Sequence, residues 1–392
     1  MNGIIKRKIA PHFLHVLGMY PIITVIGPRQ SGKTTLSRSL LSDWHYVSLE
    51  DPDMRSFCIN DCKGFLGTYP ERTIIDEAQR VPELFSYLQT HVDSVGKNGM
   101  YVLTGSQNMH MMESISQSLA GRTSVLKLFP LSYEEQQEGQ ILPASVDEQI
   151  FTGGYPRIFK SAIPPQQFYR DYMDLYVERD VRQLKNIGNL EIFRRFVKLC
   201  AGRVGQLLNV QNLADDCGVS ATTAKAWLSV LETSFIIYFL HPDYRNFTKR
   251  LVKTPKLYFC DTGLACSLLE MHTVSHVSTH YLRGALFENL VINRFRMKSY
   301  NCGEEPFLSF WRDKMGMEID LLTRDSSSLA ENSDGLQAWE IKAGATYSED
   351  YFKNIKEWAR LANVGHDRCS VIYTGQNMMK TKNGTLVPWD CF

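Results

Sequence analysis

Eight residues near the start of the chain have the types and spacing to hold a triphosphate: Gly27-x-x-x-x-Gly32-Lys33-Thr34. Glycines at these positions let backbone N–H groups turn toward phosphate oxygens, and a helix beginning at once adds its positive end. In this pattern Lys33 reaches the β- and γ-phosphates and the Thr34 hydroxyl ligates Mg2+. Pro28, Arg29, Gln30, Ser31 and Thr35 complete the expected nucleotide loop. A second stretch, Arg72-Thr73-Ile74-Ile75-Asp76-Glu77, is an apolar run ending in two carboxylates. Asp76 is expected in the Mg2+ shell, and Glu77 is expected to polarise an attacking water. The implied chemistry is hydrolysis, and the absence of an Asn-Lys-x-Asp guanine-selecting motif points to ATP.

Two further residues belong with that chemistry. Ser106 follows the run Met100 to Leu103 and is placed to sense the γ-phosphate or to position the water. Arg122, just before the run Ser124 to Phe129, is a candidate arginine finger directed at a neighbouring subunit.

A second set lies far along the chain. In Met317-Glu318-Ile319-Asp320-Leu321-Leu322, alternation puts Glu318 and Asp320 on one face of a strand. In Ala338-Trp339-Glu340-Ile341-Lys342, Glu340 and Lys342 likewise share a face. Glu288 sits early in an apparent amphipathic helix beginning near Gly284. Hard Mg2+ prefers carboxylate oxygens. Asp320 and Glu340 are expected to bind it with Glu288 completing the shell, and Lys342 to act on the attacking water or the phosphate. The same Glu and Lys pattern also suits an ordinary solvated strand face.

These side chains require particular elements. Ile22 to Ile26 is an apolar β-branched run, followed by the glycine loop and the helical Leu36-Leu40-Leu41 pattern. Strand, loop and helix in that order are what a phosphate loop needs. In the middle of the chain, Leu213, Ala214 and Cys217 fall on one helical face, Gly218 ends that helix, and Ser220 caps the next, Ala221 to Glu232. A strand, Phe235 to Leu240, and a hairpin carrying Arg245, Lys249, Arg250, Lys253 and Lys256 follow. Helix-turn-helix spacing with a basic hairpin suggests DNA contact by Lys225, Arg245, Lys249, Arg250 and Lys253. The second helix has no Arg and few base-reading side chains, so binding tolerant of sequence is expected. Arg179, Arg182, Lys185, Arg194, Arg195, Lys198 and Arg203 suit DNA or a solvated helix face.

The stretches GPRQSGKTT, TIIDEAQ, VLTGSQ, SLAGRTSVLKLFPLSYEE and GGYP resemble the AAA-type (AAA+ superfamily) P-loop ATPases of bacteria and archaea that carry a C-terminal region of uncertain function. The resemblance covers nearly the whole chain. It implies a nucleotide-binding core, a winged-helix module and a nuclease-like C-terminal domain. The order Glu288, Asp320, Glu340-x-Lys342 is similar to the PD-(D/E)xK nuclease superfamily, whose folds also persist as binding modules without cleavage. Such ATPases work as homo-oligomers, often hexameric rings.

The expected fold class is therefore α/β. It comprises a P-loop core with a parallel sheet over 1–160, a helical segment over 161–205, a winged helix over 206–275, and a restriction-endonuclease-like α/β domain over 276–392. A length of 392 residues suits several domains. A net charge of +1 means that a nucleic-acid partner would have to use local basic patches. Nine scattered cysteines give no disulfide framework or paired zinc pattern, and no apolar run of about 18 residues spans a membrane. No secretion signal is legible, and a cytoplasmic location is expected. The expected cofactors are ATP and Mg2+, and the expected partner is duplex or branched DNA.

Overall fold

The computed structural model describes residues 4–106, 115, 117–176, 189–243, 252–324 and 335–392, with Ser106 described by its backbone alone. Arg179, Arg182, Lys185, Arg245, Lys249 and Arg250 therefore lie outside the described residues.

The first sheet contains five strands: β1 (Ile22–Gly27), β2 (His45–Ser48), β3 (Thr73–Asp76), β4 (Tyr101–Ser106) and β5 (Thr123–Lys127). Their order is β2-β3-β4-β1-β5, and every pairing is parallel. Parallel strands are covered on both faces, which explains why β1 reads as an unbroken apolar run rather than an alternation. All six of its residues are buried. The carboxyl ends of β1, β3 and β4 thus meet at one edge, where open α/β sheets bind ligands.

The middle segment is helical, then forms a two-stranded sheet. Helix Val210–Cys217 ends at Gly218, which adopts φ 76°. Ser220 accepts a hydrogen bond from the Thr223 N–H and starts helix Ala221–Thr233. β6 (Ile237–Leu240) and β7 (Lys256–Phe259) then pair antiparallel. This is the element order expected from the sequence. The hairpin between them does not stand apart at its described ends. The Asp243 N–H donates to the Phe310 carbonyl, the Phe310 N–H to the His241 carbonyl, and the Val252 N–H to the Arg312 carbonyl.

Phe310 and Arg312 belong to a second sheet, ordered β12-β13-β11-β10-β9-β8. It comprises β8 (Leu308–Arg312), β9 (Glu318–Arg324), β10 (Leu336–Lys342), β11 (Cys369–Tyr373), β12 (Met379–Thr381) and β13 (Gly384–Pro388). β9 is antiparallel to β10, whereas β11 runs parallel to β10. Helix Arg283–Asn301 lies on β10, and helix Lys353–Ala362 buries Ile355, Trp358, Ala359 and Ala362 against the sheet. β8 is an edge strand, and the hairpin ends cover its open backbone groups, a common way to blunt an edge.

Three cations of helix Leu190–Ala201 and its flank have acidic partners brought in from other elements, whereas Arg195 donates to the Asp216 backbone carbonyl. Arg194 pairs with Asp174, Lys198 with Glu270, and Arg203 with Asp216. Arg194, Lys198 and Arg203 are thus ion-paired on this helix surface.

Candidate functional site

β1 ends at Gly27, with φ 153°. A Cβ there would lie 2.1 Å from the carbonyl oxygen of Leu128, so the close approach of two backbones requires glycine. The chain then passes through two left-handed residues, Gln30 at φ 59° and Gly32 at φ 97°, before helix Lys33–Leu40 begins. Alternating backbone handedness of this kind forms a concave nest of N–H groups for an anion. Lys33 is 7% exposed, and its ammonium donates to the carbonyls of Gly27 at 3.0 Å and Pro28 at 2.8 Å. The Ser31 hydroxyl is buried with no hydrogen-bond partner. Pro28 is buried, Arg29 half-buried, and Gln30 and Thr35 are exposed along the same loop.

Asp76 closes β3 beside this loop. The Thr34 hydroxyl donates to its Oδ1 at 2.9 Å, the Thr104 hydroxyl donates to the same oxygen, and the Tyr46 hydroxyl donates to Oδ2 at 3.0 Å. Burial, with Asp76 adjacent, pushes the Tyr46 phenol up to about 12. Tyr46 and Thr104 were not among the residues singled out from the sequence. Both come from neighbouring strands, and only the β2-β3-β4 order reveals them. Glu77, the next residue, is left-handed at φ 56°, ψ 42°, and its Oε2 accepts from Gln79 Nε2 at 2.5 Å. A non-glycine residue in that region costs about 1–3 kcal/mol, and such strain concentrates at functional positions. Ser106 pairs in register with Gly27, which sets its backbone at the mouth of the loop.

The unpartnered Ser31 hydroxyl, the nest of N–H groups and the Thr34–Asp76 oxygens fit a triphosphate with Mg2+. Thr34 and Asp76 would hold the ion, and Lys33 would release its carbonyl partners to reach the phosphates.

Arg122 lies elsewhere. Its carbonyl accepts from the Ile22 N–H at the opposite end of β1, and its guanidinium grips both oxygens of Asp93 at 2.7 Å. It is therefore no part of this chain's own pocket.

The C-terminal side chains form two groups. Lys342 pairs with Asp320 Oδ2 at 3.2 Å and also with Glu340. Asp320 Oδ2 also accepts the Ile341 N–H at 2.8 Å. Lys256, which is 2% exposed, pairs with Glu288 Oε1 at 2.9 Å and also with Glu318. The Tyr258 hydroxyl donates to Glu288, and Arg312 reaches Glu318 Oε2 at 2.8 Å. Burial pushes Glu340 well above the usual carboxylate range, and neighbouring Asp320 adds to that. Asp320 resists its own burial and stays low because Lys342 and Lys256 are close. Burial also raises Glu288, against the pull of Lys256.

Two expectations change here. Lys256 is not a solvated hairpin cation. β7 carries it inward, where two carboxylates neutralise it. The three-carboxylate shell of Glu288, Asp320 and Glu340 is also not what forms. Among the described residues, no group of three or more His, Cys, Asp or Glu is arranged to hold a metal ion. A lysine ammonium sits on one oxygen of each carboxylate, Lys342 on Asp320 Oδ2 and Glu340 Oε2 and Lys256 on Glu288 Oε1, so the cluster is charge-paired as it stands. Glu340 Oε1 is buried without a hydrogen-bond partner. Of the DNA candidates within the described residues, Lys225 and Lys253 are both exposed.

Comparison with known proteins adds the following. Residues 19–137 match a family model described as an AAA domain. Residues 143–275 and 283–392 match two models described as domains of unknown function, DUF8612 and DUF4143. Uncharacterized proteins of Mycobacterium tuberculosis and Mycobacterium bovis are each 27% identical over 375 residues, 95% of this chain and 80% of theirs. Among solved structures, the Walker-type ATPase of Pyrococcus abyssi aligns at 16% identity and TM-score 0.43, over 68% of this chain and 96% of its own. AMPPCP-bound DnaA from Aquifex aeolicus aligns at 12% identity and TM-score 0.30, over 57% of this chain and 85% of its own. No helix among the described residues is long and apolar enough to cross a membrane. The parallel sheet and the glycine loop at its edge agree with the AAA domain that residues 19–137 match.

Proposed function

We propose that this protein is a Mg2+-dependent ATP hydrolase that acts on DNA as a cytoplasmic homo-oligomer. The observation that carries the hydrolase is the junction of Lys33, Thr34 and Asp76, where loop, helix and strand end present an ammonium, a hydroxyl and a carboxylate together. When bound, Mg2+ would neutralise phosphate charge. Lys33 binds the terminal phosphates, the loop N–H groups orient them, and Glu77 accepts the proton of the attacking water. Arg122 would act on a neighbouring subunit after exchanging Asp93 for phosphate.

DNA as the partner is supported by the helix pair Val210–Cys217 and Ala221–Thr233, followed by the β6–β7 hairpin, a winged-helix arrangement with Lys225 and Lys253 exposed. The C-terminal element order, helix, three antiparallel strands, helix and parallel strand, agrees with a nuclease-like domain. A second reading, DNA or protein binding without cleavage, is favoured by one observation. Lys256 and Lys342 already neutralise the carboxylates that cleavage chemistry would use.

Both readings are tested by incubating the purified chain with duplex, single-stranded and branched DNA, with and without ATP and Mg2+. ATP turnover with retention of intact DNA is expected. Strand cleavage that disappears in Asp320→Ala, while ATP turnover persists, would replace the non-cutting reading with a nuclease. Failure to retain any of the three DNAs would remove DNA as the partner.

A further inference from the structure

The phosphate loop is held from behind by a residue outside its motif. Arg7 lies in the segment preceding helix Ala10–Leu17, and its side chain is 7% exposed. Its Nη1 donates to the Ser31 carbonyl at 2.7 Å, inside the loop. Its Nη2 donates to the Phe129 carbonyl at 2.6 Å and leans toward the Pro130 carbonyl at 3.4 Å. Its Nε donates to Glu135 Oε2 at 3.0 Å. Glu135 is fully buried and further fixed, since it accepts the Ser132 N–H at 3.0 Å and the Lys8 N–H at 2.7 Å. One planar fork thus ties the loop to the chain just beyond β5 and to helix Tyr133–Glu138.

The direction of that tie matters. A trans peptide is planar, so its C=O and the following N–H point opposite ways. No described peptide bond is cis. A guanidinium that holds the Ser31 carbonyl away from the nest therefore aims the Gly32 N–H into it. Gly32 sits at φ 97° with no side chain to bias that plane, so the plane needs an external hold. We propose that Arg7 is a positioning residue for nucleotide, which presets the Ser31–Gly32 peptide so that its N–H faces the phosphates. The inference rests on the nucleotide site proposed above. Lysine cannot replace the fork, because it offers a point charge instead of fixed parallel donors.

The test compares wild type, Arg7→Lys and Arg7→Ala in steady-state ATP hydrolysis, with inorganic pyrophosphate as a competitor carrying the phosphate end alone. For Arg7→Lys, which keeps a cation opposite Glu135, KM for ATP is expected to rise about tenfold, the scale of one charge-assisted hydrogen bond. The inhibition constant of pyrophosphate should rise by the same factor, while kcat changes less than about twofold because Arg7 does not touch the reacting atoms. A lower thermal midpoint with unchanged KM and unchanged pyrophosphate inhibition in Arg7→Lys would overturn the proposal and leave Arg7 a structural residue. Should Arg7→Ala fail to fold, Arg7→Lys alone decides. A wild-type protein that binds no ATP would remove the nucleotide site itself, and this inference with it.

Discussion

Replacing Lys33 with alanine is expected to lower ATP turnover at least ~100-fold while leaving the fold in place. The size of the loss follows from the ammonium's position. It is the buried cation at the mouth of a nest of N–H groups, and a single preorganised donor aimed at developing charge is worth about 10²–10³ in rate. The fold should survive because the Lys33 ammonium donates to the carbonyls of Gly27 and Pro28, neutral acceptors that lie within the loop itself. Losing two such bonds costs about 1–3 kcal/mol. The checks are phosphate release under saturating ATP and a thermal melt of the same sample. A variant that hydrolyses ATP at the wild-type rate would refute the phosphate-loop assignment. One with no cooperative melt would show only that the fold had been lost.

The parts legible in the sequence were those whose chemistry is local. Gly27 to Thr34 is one continuous stretch. Its glycines, lysine and threonine must be adjacent to work, so spacing alone exposes them. Gly218 and Ser220 were legible for the same reason, since a C-cap and an N-cap act on their own helices. Alternation placed Glu318 with Asp320 and Glu340 with Lys342 correctly, because the strand period of two is a backbone property.

Partners supplied by distant segments were not legible. Tyr46 and Thr104 join Asp76 only because β2 and β4 flank β3. Arg194, Lys198 and Arg203 formed a basic stretch on paper, but Asp174, Glu270 and Asp216 arrive from elsewhere to pair with them. Arg7 carries no motif at all. Its role emerges only from the meeting of the amino-terminal segment, the loop and Glu135. Helix Tyr133–Glu138 connects these regions, because adjacent carboxylates on it face different ways. Glu135 holds Arg7 behind the phosphate loop, whereas Glu134 pairs at 2.8 Å with Arg294 on the helix that also carries Glu288.

Lys256→Ala should be among the most destabilising single changes in the chain, at about 3–5 kcal/mol, the usual cost of breaking a buried pair from one side. The basis is that Lys256 reaches Glu288 and Glu318 at once, while its own strand, β7, is wholly buried. Removing the ammonium leaves Glu288 with the Tyr258 hydroxyl and Glu318 with Arg312. If the residue were instead a solvated hairpin cation, the change would fall within about 0.5 kcal/mol. The pH dependence has a definite sign. Burial already holds Glu288 above its unfolded value, and losing Lys256 removes the main force opposing that shift. A carboxyl with a raised folded pKa favours the folded state below its unfolded pKa, and that contribution is lost as pH rises through the folded pKa. The Lys256→Ala defect should therefore be smaller near pH 5 than near pH 8, and Glu288→Gln in the same background should restore part of the loss at the higher pH. Urea melts of the three proteins at both pH values measure this. Equal stability of wild type and Lys256→Ala at pH 8 would mean that the two carboxylates do not depend on the ammonium.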